Sequence, residues 1–466
     1  MKKTNLLAIR RRQPPGIREE HVIRISNAGR IRRYAAWTAA SALVLVAVAA
    51  CENTLKVTNP QSFTTEALDD PKILQSVADG IDGTLQQIFG SYVVFEGLLS
   101  DELEDSSTWI NFANMSLGRF GPGSPDDQTV GSGGNQGSIL RNRFAAQDAL
   151  SRITRVLGAD AAGKSALTAQ VQTADAWNDL YLAMAFCESP LVANGPSAPD
   201  SAVYKQALTK FNDAVTTATA AGATAIKNWA LAGRARTNLF LGNYDAAAAD
   251  AAAVPAGFVK QALFSTSSAT SFAGGQLNQN RNRSGTLRRL WWPMVDTSNA
   301  AQPLASDQYV KDPWTNTNDT RMAVLHTKGL RGVSNQALYY GIQKYKDWTA
   351  PITMTSKREM NLIQAEVYWK KGDLANAVTT LNINRTAAGL PAFAMPLTAD
   401  DVFQRLLSER FAELFVEGHR MTDLNRFNLV TKQLGPGRAT KYQLTLTEII
   451  NNPNMTLGQQ TCPKIS

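Results

Sequence analysis

Apolar residues recur at helical spacing through most of the chain after residue 66. Between residues 69 and 89 they fall on one helical face, at Ile73, Val77, Ile81, Leu85 and Ile88. The segments 140–157, 162–186 and 202–220 show the same spacing, with many alanines and with aromatic residues at Trp177, Tyr181 and Phe211. Since this spacing is typical of amphipathic helices, the pattern predicts a mostly α fold with little β structure.

Two segments repeat a helix–turn–helix shape. Residues 229–241 and 245–253 flank a Gly242-Asn-Tyr244 turn, and residues 361–371 and 375–381 flank Gly372-Asp-Leu374. Both resemble tetratricopeptide units, in which small residues lie where two helices touch closely. Because the two turns lie 130 residues apart, they predict tetratricopeptide-like helix pairs interrupted by long loop insertions rather than a regular solenoid.

The segment 264–357, between these pairs, is the least regular part of the chain. Residues 265–284 are rich in Ser, Asn and Gly, and aromatic residues then cluster at Trp291, Trp292, Tyr309, Trp314, Tyr339, Tyr340, Tyr345 and Trp348. Long loops within a compact domain are usually either functional or disordered. The density of aromatic side chains favours a functional insertion.

The first 50 residues have the pattern of an export signal. Arg30 to Arg33 form a basic segment, residues 34–50 carry no charge, and Cys51 follows, which is the order of a secretory signal. Val48-Ala-Ala-Cys51 resembles a bacterial lipobox, in which the cysteine is lipidated. The alternatives are an unprocessed signal with an incidental cysteine and a retained membrane helix, for which 17 uncharged residues fall short of about 20. The predicted order is a signal at 1–50, a lipid-anchored tether at 51–65 and a helical domain at 66–466, with parts at about 66–260, 264–357 and 358–466.

Removal of the signal changes the charge of the protein. The full chain has a formal net charge of +8, but ten of its 47 basic residues and two of its 39 acidic residues lie before Cys51. The mature chain therefore holds 37 of each and is neutral. Since nucleic-acid-binding proteins carry a basic surface, no nucleic acid is expected as a partner.

Residues 95–105 predict a helix end followed by an acidic turn. The turn contains the carboxylates of Asp101, Glu102, Glu104 and Asp105. A bound cation is one interpretation, but the carboxylates lack the spacing of a calcium loop. A solvated acidic loop is therefore preferred, and neither a metal nor a cofactor is predicted.

Two cysteines follow Cys51, at Cys187 and Cys462. A disulfide between them is permitted outside the cytosol. The sequence does not establish whether they pair.

The carboxyl-terminal part carries the most specific pattern. Thr398-Ala-Asp-Asp401 predicts a helix start with a capping box, and Gly418 predicts the helix end. Apolar residues form one face of this helix, at Phe403, Leu406, Leu407, Phe411, Leu414 and Phe415. The other side carries Arg405, Glu409, Arg410, Glu413 and Glu417, which we expect to pair with each other or with neighbouring loops.

The same helix resembles a family signature. Residues Leu407 to Arg420, followed by Asp423-Leu-Asn-Arg426, closely resemble the signature of the SusD/RagB family, whose members are surface-exposed, lipid-anchored nutrient-binding proteins of the outer membrane. Three further segments match that family in order: 345–372, 377–391 and 446–456. The resemblance fades in the aromatic insertion.

The resemblance implies a helical domain built on tetratricopeptide-like pairs, with a loop-rich face that bears the ligand site. It implies an outer-membrane protein anchored by lipid at Cys51 and facing the cell exterior. It also implies two partners, a SusC-like TonB-dependent transporter and an oligosaccharide or peptide ligand. In this picture the signature helix is scaffold rather than site.

Capture of such a ligand needs flat aromatic faces beside amide or charged groups. Six candidate ligand-binding residues fit this description: Trp109, Asn111, Trp291, Trp292, Tyr309 and Trp314. For each aromatic residue, the alternative is that it packs a loop onto the scaffold.

The predicted function is non-catalytic binding of a nutrient, and two other classes stay open. An all-helical glycosidase would use a pair of carboxylates, for which Asp101, Glu102 and Glu417 are conceivable. Only His326 and His419 follow the signal, and the sequence has no metal-ligand cluster or nucleophile motif, so an enzyme is not favoured. The third class is a protein-binding helical-repeat scaffold, against which the aromatic insertion argues.

Overall fold

The computed structural model of the protein describes residues 67–105, 110–119, 136–265, 286–287, 308–325, 341–342, 344–345 and 349–459. The chain divides into two units, Met1–Thr64 and Thr65–Ser466, and all the described residues belong to the second. This unit is mostly helical with short strands, which confirms the predicted fold class. Within the described ranges, no helix is long and apolar enough to cross a membrane.

A short 3-10 turn at Ala67–Asp69 precedes the helices of the first part. These helices are α1 (Leu74–Leu99), α2 (Ile110–Leu117), α3 (Gln136–Leu157), α4 (Ala159–Ala162), α5 (Ala166–Ala185), α6 (Asp200–Ala220), α7 (Thr224–Phe240) and α8 (Tyr244–Ala253). The helices of the carboxyl-terminal part are α9 (Lys357–Lys370), α10 (Leu374–Ala387), α11 (Ala399–Glu413), α12 (Arg420–Arg426), α13 (Val430–Leu434) and α14 (Leu446–Asn451). The strands are β1 (Leu103–Glu104), β2 (Glu188–Pro190), β3 (Ser197–Pro199), β4 (Val259–Ala262), β5 (Thr286–Leu287), β6 (Gln308–Lys311), β7 (Asn318–Leu325), β8 (Gly341–Ile342) and β9 (Ile352–Ser356).

Aromatic residues hold the helices of the first part together. Tyr181 of α5 packs on Phe89 and Tyr92 of α1, with ring centroids 5.4 and 4.9 Å apart. Trp177, one turn earlier on α5, meets Phe211 of α6 edge-on at 5.7 Å. All five side chains are fully buried, so each removes a large apolar area from water. The three aromatic positions singled out in the sequence are therefore core residues.

The two tetratricopeptide-like pairs form as predicted and pack against each other. Helices α7 and α8 join at Gly242 (φ 78°), and α9 and α10 join at Gly372 (φ 76°), where glycine adopts a left-handed conformation without steric cost. Alanines of α8 lie in one buried cluster with apolar residues of α9: Ala247, Ala251, Met360 and Ile363. The long insertion therefore separates the pairs in sequence and not in space.

The strands show where the insertion leaves the helical scaffold and where it returns. Strand β4 pairs antiparallel with β9, with a bulge between Lys260 and Gln261, so the insertion starts and ends at the same two-stranded sheet. Within the insertion, β6, β7 and β8 form a three-stranded antiparallel sheet. Strand β5 pairs instead with β1, directly after α1.

Several helix bounds differ from the predicted ones, and three of the differences have a clear cause in the structure. Helix α1 continues to Leu99 because its second half is buried on nearly every side, so the polar positions that reveal a helical period are missing there. A turn at residues 163–165 splits the predicted 162–186 helix into α4 and α5. Helix α11 has the predicted capping box but ends at Glu413, before the predicted end at Gly418. The backbone leaves the helical conformation earlier, since Val416 already has a positive φ of 51°.

Cys187 lies directly after α5 and is half-buried. It is disulfide-bonded, and its partner lies outside the described residues. Cys462, the partner considered from the sequence, also lies outside them.

Candidate functional site

Most of the residues predicted to act at the membrane or on a ligand lie outside the described residues. These are Cys51, Trp109, Trp291 and Trp292, and their roles remain predictions. The backbone of Tyr309 lies in β6, opposite Ala323 of β7. Asn111 is the second residue of α2 and is half-buried.

Trp314 lies in the turn between β6 and β7, where it contacts the carboxyl-terminal part. The guanidinium carbon of Arg405, on α11, lies 4.2 Å from the centre of the Trp314 ring, and Phe393 meets the ring edge-on at 6.3 Å. Trp314 still exposes 39% of its surface. It packs the turn onto the scaffold, as the alternative interpretation held, and retains an open part.

One strand pair brings together the two segments that carry the candidate aromatic residues. Leu103 and Glu104 of β1 pair with Leu287 and Thr286 of β5. Trp109 follows Glu104 by five residues, and Trp291 and Trp292 follow Leu287 by four and five. The segment after α1 and the insertion therefore leave from one small sheet, although 182 residues separate Glu104 from Thr286 in sequence.

The prediction of a solvated acidic loop after α1 is wrong. Asp101 and Glu102 expose 3% and 1% of their surfaces, and Asp105 is buried as well. The Asp101 carboxylate accepts two hydrogen bonds from the Arg420 guanidinium, at 2.7 and 2.8 Å, and Glu102 Oε1 accepts one from the backbone N–H of Val416 at 2.8 Å. Asp101 and Glu102 are therefore buried as hydrogen-bond acceptors for groups at the end of the signature segment.

The burial of this turn changes its acid–base chemistry. Burial raises the pKa of Glu102 to about 8, and the nearby Asp101 charge adds to this shift. Burial likewise raises the pKa of Glu96, on the last turn of α1, to about 8. Across the described part of the chain, no group of three His, Cys, Asp or Glu side chains has the arrangement to hold a metal ion.

The charged side of α11 is buried and holds neighbouring elements in place. Arg385 of α10 bridges Glu409 at 2.9 Å and Asp312, in the β6–β7 turn, at 2.8 Å. Arg321 of β7 contacts Glu409 at 2.7 Å. Arg410 binds Asp423 of α12 through two hydrogen bonds, at 2.8 and 2.9 Å. The expected pairing of these charges is confirmed, with partners on two helices and a hairpin.

Beside this network lies a cleft with a volume of about 910 Å³. It lies between the loop after α8, strands β4, β7 and β9, the start of α9, the end of α10 and the end of α11. We call it the α9 cleft. Its described lining consists of Ala256, Gly257, Phe258, Val259, Thr320, Arg321, Lys344, Thr353, Ser356, Lys357, Arg358, Asn361, Ile383, Asn384, Ala387, Glu413 and Glu417. This is within the size range of small-molecule sites.

Most charges of the α9 cleft are paired across its wall. Lys344 donates to Glu417 at 2.8 Å, and burial raises the pKa of Glu417. Glu413 accepts from Arg321 at 3.2 Å through one oxygen and from Arg358 at 3.0 Å through the other. Each carboxylate of the described lining therefore has a cation of its own.

The α9 cleft was not predicted from the sequence, although one signal was available. Helix α9 begins with Lys357 and Arg358, whereas the first turn of a helix favours acidic residues because the helix dipole is positive there. Two adjacent cations at a helix start indicate a compensating anion. The remaining lining comes from several separate segments of the chain, and no local sequence pattern indicates that they lie close together.

Comparison with known proteins agrees with this architecture. The SusD family model matches residues 278–461, which include the signature helix. This match and solved structures of the same fold support membership of the SusD/RagB family. Among curated protein sequences, none matches this chain.

Solved structures of SusD-like proteins share the fold of this chain. A SusD superfamily protein from Bacteroides thetaiotaomicron has a TM-score of 0.60 at 15% identity, over 84% of this chain and 98% of that chain. A laminarin-binding SusD-like protein has a TM-score of 0.56 at 16% identity, over 83% and 98%. A SusD-like carbohydrate-binding protein from Bacteroides vulgatus has a TM-score of 0.52 at 13% identity, over 76% and 83%.

Proposed function

We propose that this SusD/RagB protein is a lipid-anchored lipoprotein on the outer face of the outer membrane, where it captures oligosaccharides and delivers them to a SusC-like TonB-dependent transporter. The observation that carries the proposal is the family match over residues 278–461, which spans most of the aromatic insertion as well as the signature helix. The export signal with Cys51 supports the location. Two proteins of the same fold are named as binders of laminarin and of carbohydrate, and they support a glycan as the ligand.

The aromatic site proposed for this ligand comprises Trp109, Asn111, Trp291 and Trp292. The pairing of β1 with β5 supports a single site, because it starts both segments from one sheet. Indole rings stack on the apolar faces of sugar rings, and the Asn111 amide supplies a hydrogen-bonding group beside them.

The positions of the carboxylates favour binding over hydrolysis. A glycosidase needs two carboxylates that flank one scissile bond. Asp101 is bound to Arg420, Glu102 to the Val416 N–H, and Glu417 to Lys344. All three conceivable catalytic acids thus bind groups of the scaffold, which supports a non-catalytic protein.

A binding panel tests the ligand and the absence of turnover together. The processed chain from residue 52 would be titrated with laminarin, starch and xylan oligosaccharides and with peptides, while the solution is analysed for shortened products. We expect at least one glycan to bind without the appearance of shortened products. The Trp291→Ala variant should bind this glycan about tenfold more weakly, since one aromatic contact contributes about 0.5–1.5 kcal/mol.

Phe144→Ala is the matched control, because Phe144 exposes 65% of its surface and lies on α3, outside both aromatic segments. Product release would overturn the binding-only proposal. Capture of proteins without any small ligand would favour the scaffold class.

The transporter is tested by affinity purification from detergent-solubilised membranes, in which a β-barrel transporter should co-purify, and its absence would remove that part of the proposal.

A further inference from the structure

The α9 cleft is a candidate for a second ligand site. Neither Asn111 nor Trp314, the two ligand-binding candidates from the sequence whose side chains are described, lines it. Its lining combines polar and charged side chains with an apolar strip formed by Phe258, Val259 and Ile383. Val259 and Ile383 expose 50% and 53% of their surfaces, so an apolar face is open in the cleft.

Lys357 is a cation of this cleft for which the described residues supply no acidic partner. Its ammonium group donates to the backbone carbonyl of Ala251 at 2.9 Å, and burial lowers its pKa without a compensating carboxylate. Glu359, in the same helical turn, is held by the buried Arg236 at 2.6 Å. Among the described residues, no carboxylate forms an ion pair with Lys357.

Arg358 follows Lys357, and only part of its hydrogen-bonding capacity is used within the protein. Its side chain exposes 49% of its surface, and one nitrogen, Nη1, contacts Glu413 at 3.0 Å. Within the described part of the chain, its Nε and Nη2 groups have no partner. Glu413 also contacts Arg321 at 3.2 Å, but Arg321 is held more closely by Asp319 and Glu409, at 2.7 Å each. Lys357 therefore supplies the positive charge at the start of α9 that no described carboxylate balances, and Arg358 adds hydrogen-bond donors that the described residues do not use.

Amide and hydroxyl groups surround this positive charge. Asn361 donates to the side chain of Asn384 at 2.9 Å, and Asn384 donates to the backbone carbonyl of Arg358 at 2.8 Å. The hydroxyls of Thr320 and Thr353 also line the cleft. A ligand that carries an anionic group, several hydroxyls and an apolar C–H face matches this combination of cations, polar groups and apolar strip.

We infer that the α9 cleft binds a sugar acid, with the carboxylate of the ligand held by Lys357 and Arg358 and its hydroxyls facing the amides and threonines. A planar guanidinium donates two parallel hydrogen bonds to a carboxylate, and an ammonium adds a further charge-assisted bond. The apolar strip would face the C–H side of the sugar ring. This site goes beyond the aromatic site of the proposed function and does not require it.

The test compares a uronic-acid oligomer with its uncharged ester. Trigalacturonate and its fully methyl-esterified form have the same rings and differ in charge, and both would be titrated calorimetrically into the processed chain. We expect the acid to bind at least about tenfold more tightly than the ester, with an affinity that falls as salt is raised, because salt screens charges.

Variants locate the binding in the cleft. Lys357→Met and Arg358→Gln should each weaken trigalacturonate binding about tenfold and leave the binding of neutral glycans unchanged. Lys432→Met is the matched control, because Lys432 is an exposed lysine on α13 outside the cleft lining. Thermal melting of each variant reports whether it remains folded, and a folded Arg358→Glu variant, with the charge reversed, should lose trigalacturonate binding.

The outcomes separate this inference from the proposed function. Equal affinity for acid and ester, or variants in the cleft that bind trigalacturonate as the native chain does, would overturn the inference. Binding of a carboxylate-bearing tripeptide but not of trigalacturonate would overturn the sugar assignment. Loss of neutral-glycan binding in Trp291→Ala bears only on the aromatic site.

Discussion

Replacement of Asp101 by asparagine removes the charge partner of a buried arginine while keeping the shape of the side chain. Arg420 donates two hydrogen bonds to Asp101, at 2.7 and 2.8 Å, and the two side chains expose only 3% and 1% of their surfaces. The ring of Phe411 lies 4.9 Å from the Arg420 guanidinium and covers one side of it. A buried charge left without its partner destabilises a protein by about 3–5 kcal/mol.

Two effects place Asp101→Asn near the lower end of that range, at about 3 kcal/mol. The asparagine carbonyl still accepts one of the two hydrogen bonds. The loss of the Asp101 charge should also lower the pKa of Glu102, which this charge helps to raise. An ionised Glu102 would then compensate part of the Arg420 charge.

Urea unfolding followed by tryptophan fluorescence measures this loss, with Asp160→Asn as the matched control. Asp160 pairs with Lys164 at 2.9 Å, but these side chains expose 88% and 62% of their surfaces, and such exposed pairs contribute less than about 1 kcal/mol. In the double variant Asp101→Asn/Arg420→Met no unpaired charge remains, so it should be more stable than Asp101→Asn alone. A loss below about 1 kcal/mol in Asp101→Asn, equal to that of the control, would refute the argument from burial.

Three further predictions follow from the structure and the sequence. Because burial raises the pKa values of Glu96 and Glu102 from 4.5 to about 8, the folded state binds these protons more tightly than the unfolded state. The free energy of unfolding should therefore fall as the pH rises from about 5 to 8. The double variant Glu96→Gln/Glu102→Gln should show a smaller fall in urea unfolding at several pH values, and a fall equal to that of the native chain would contradict the prediction. A Cys51→Ala variant should lose acyl labelling and appear in the soluble fraction, whereas a variant that stays in the membrane would restore the hypothesis of a retained helix. Gly418→Ala should destabilise the protein by about 1–3 kcal/mol, since Gly418 has a φ of 75° and a Cβ there would lie 2.4 Å from the Tyr92 ring; an unchanged melting temperature would show that this contact relaxes freely.

Elements with strong local signals could be predicted closely. The Gly242 and Gly372 turns locate both helix pairs, because glycine adopts their left-handed backbone without steric cost. The capping box of Thr398 and Asp401 locates the start of α11. The second half of α1 could not be bounded, since a helix buried on nearly every side shows no alternation of apolar and polar residues.

The candidate sites could be predicted only in part. Aromatic density pointed to the insertion, and the structure adds that β5 brings the insertion to the segment after α1. The α9 cleft was missed, because its described lining comes from separate elements between Ala256 and Glu417. No local pattern predicts which of these elements meet.

The sequence by itself determined the helical fold and the resemblance to the SusD/RagB family, and it predicts an export signal and a neutral mature chain, because each depends on residues that are adjacent or regularly spaced. The tertiary structure decided which partners the charges have. Asp101 belongs to an acidic segment that suggests solvent exposure, yet it is buried against Arg420, and Glu409 pairs with Arg385 of another helix. Whether a carboxylate faces water or an arginine depends on a partner that can be 319 residues away, and folding alone brings that partner to it.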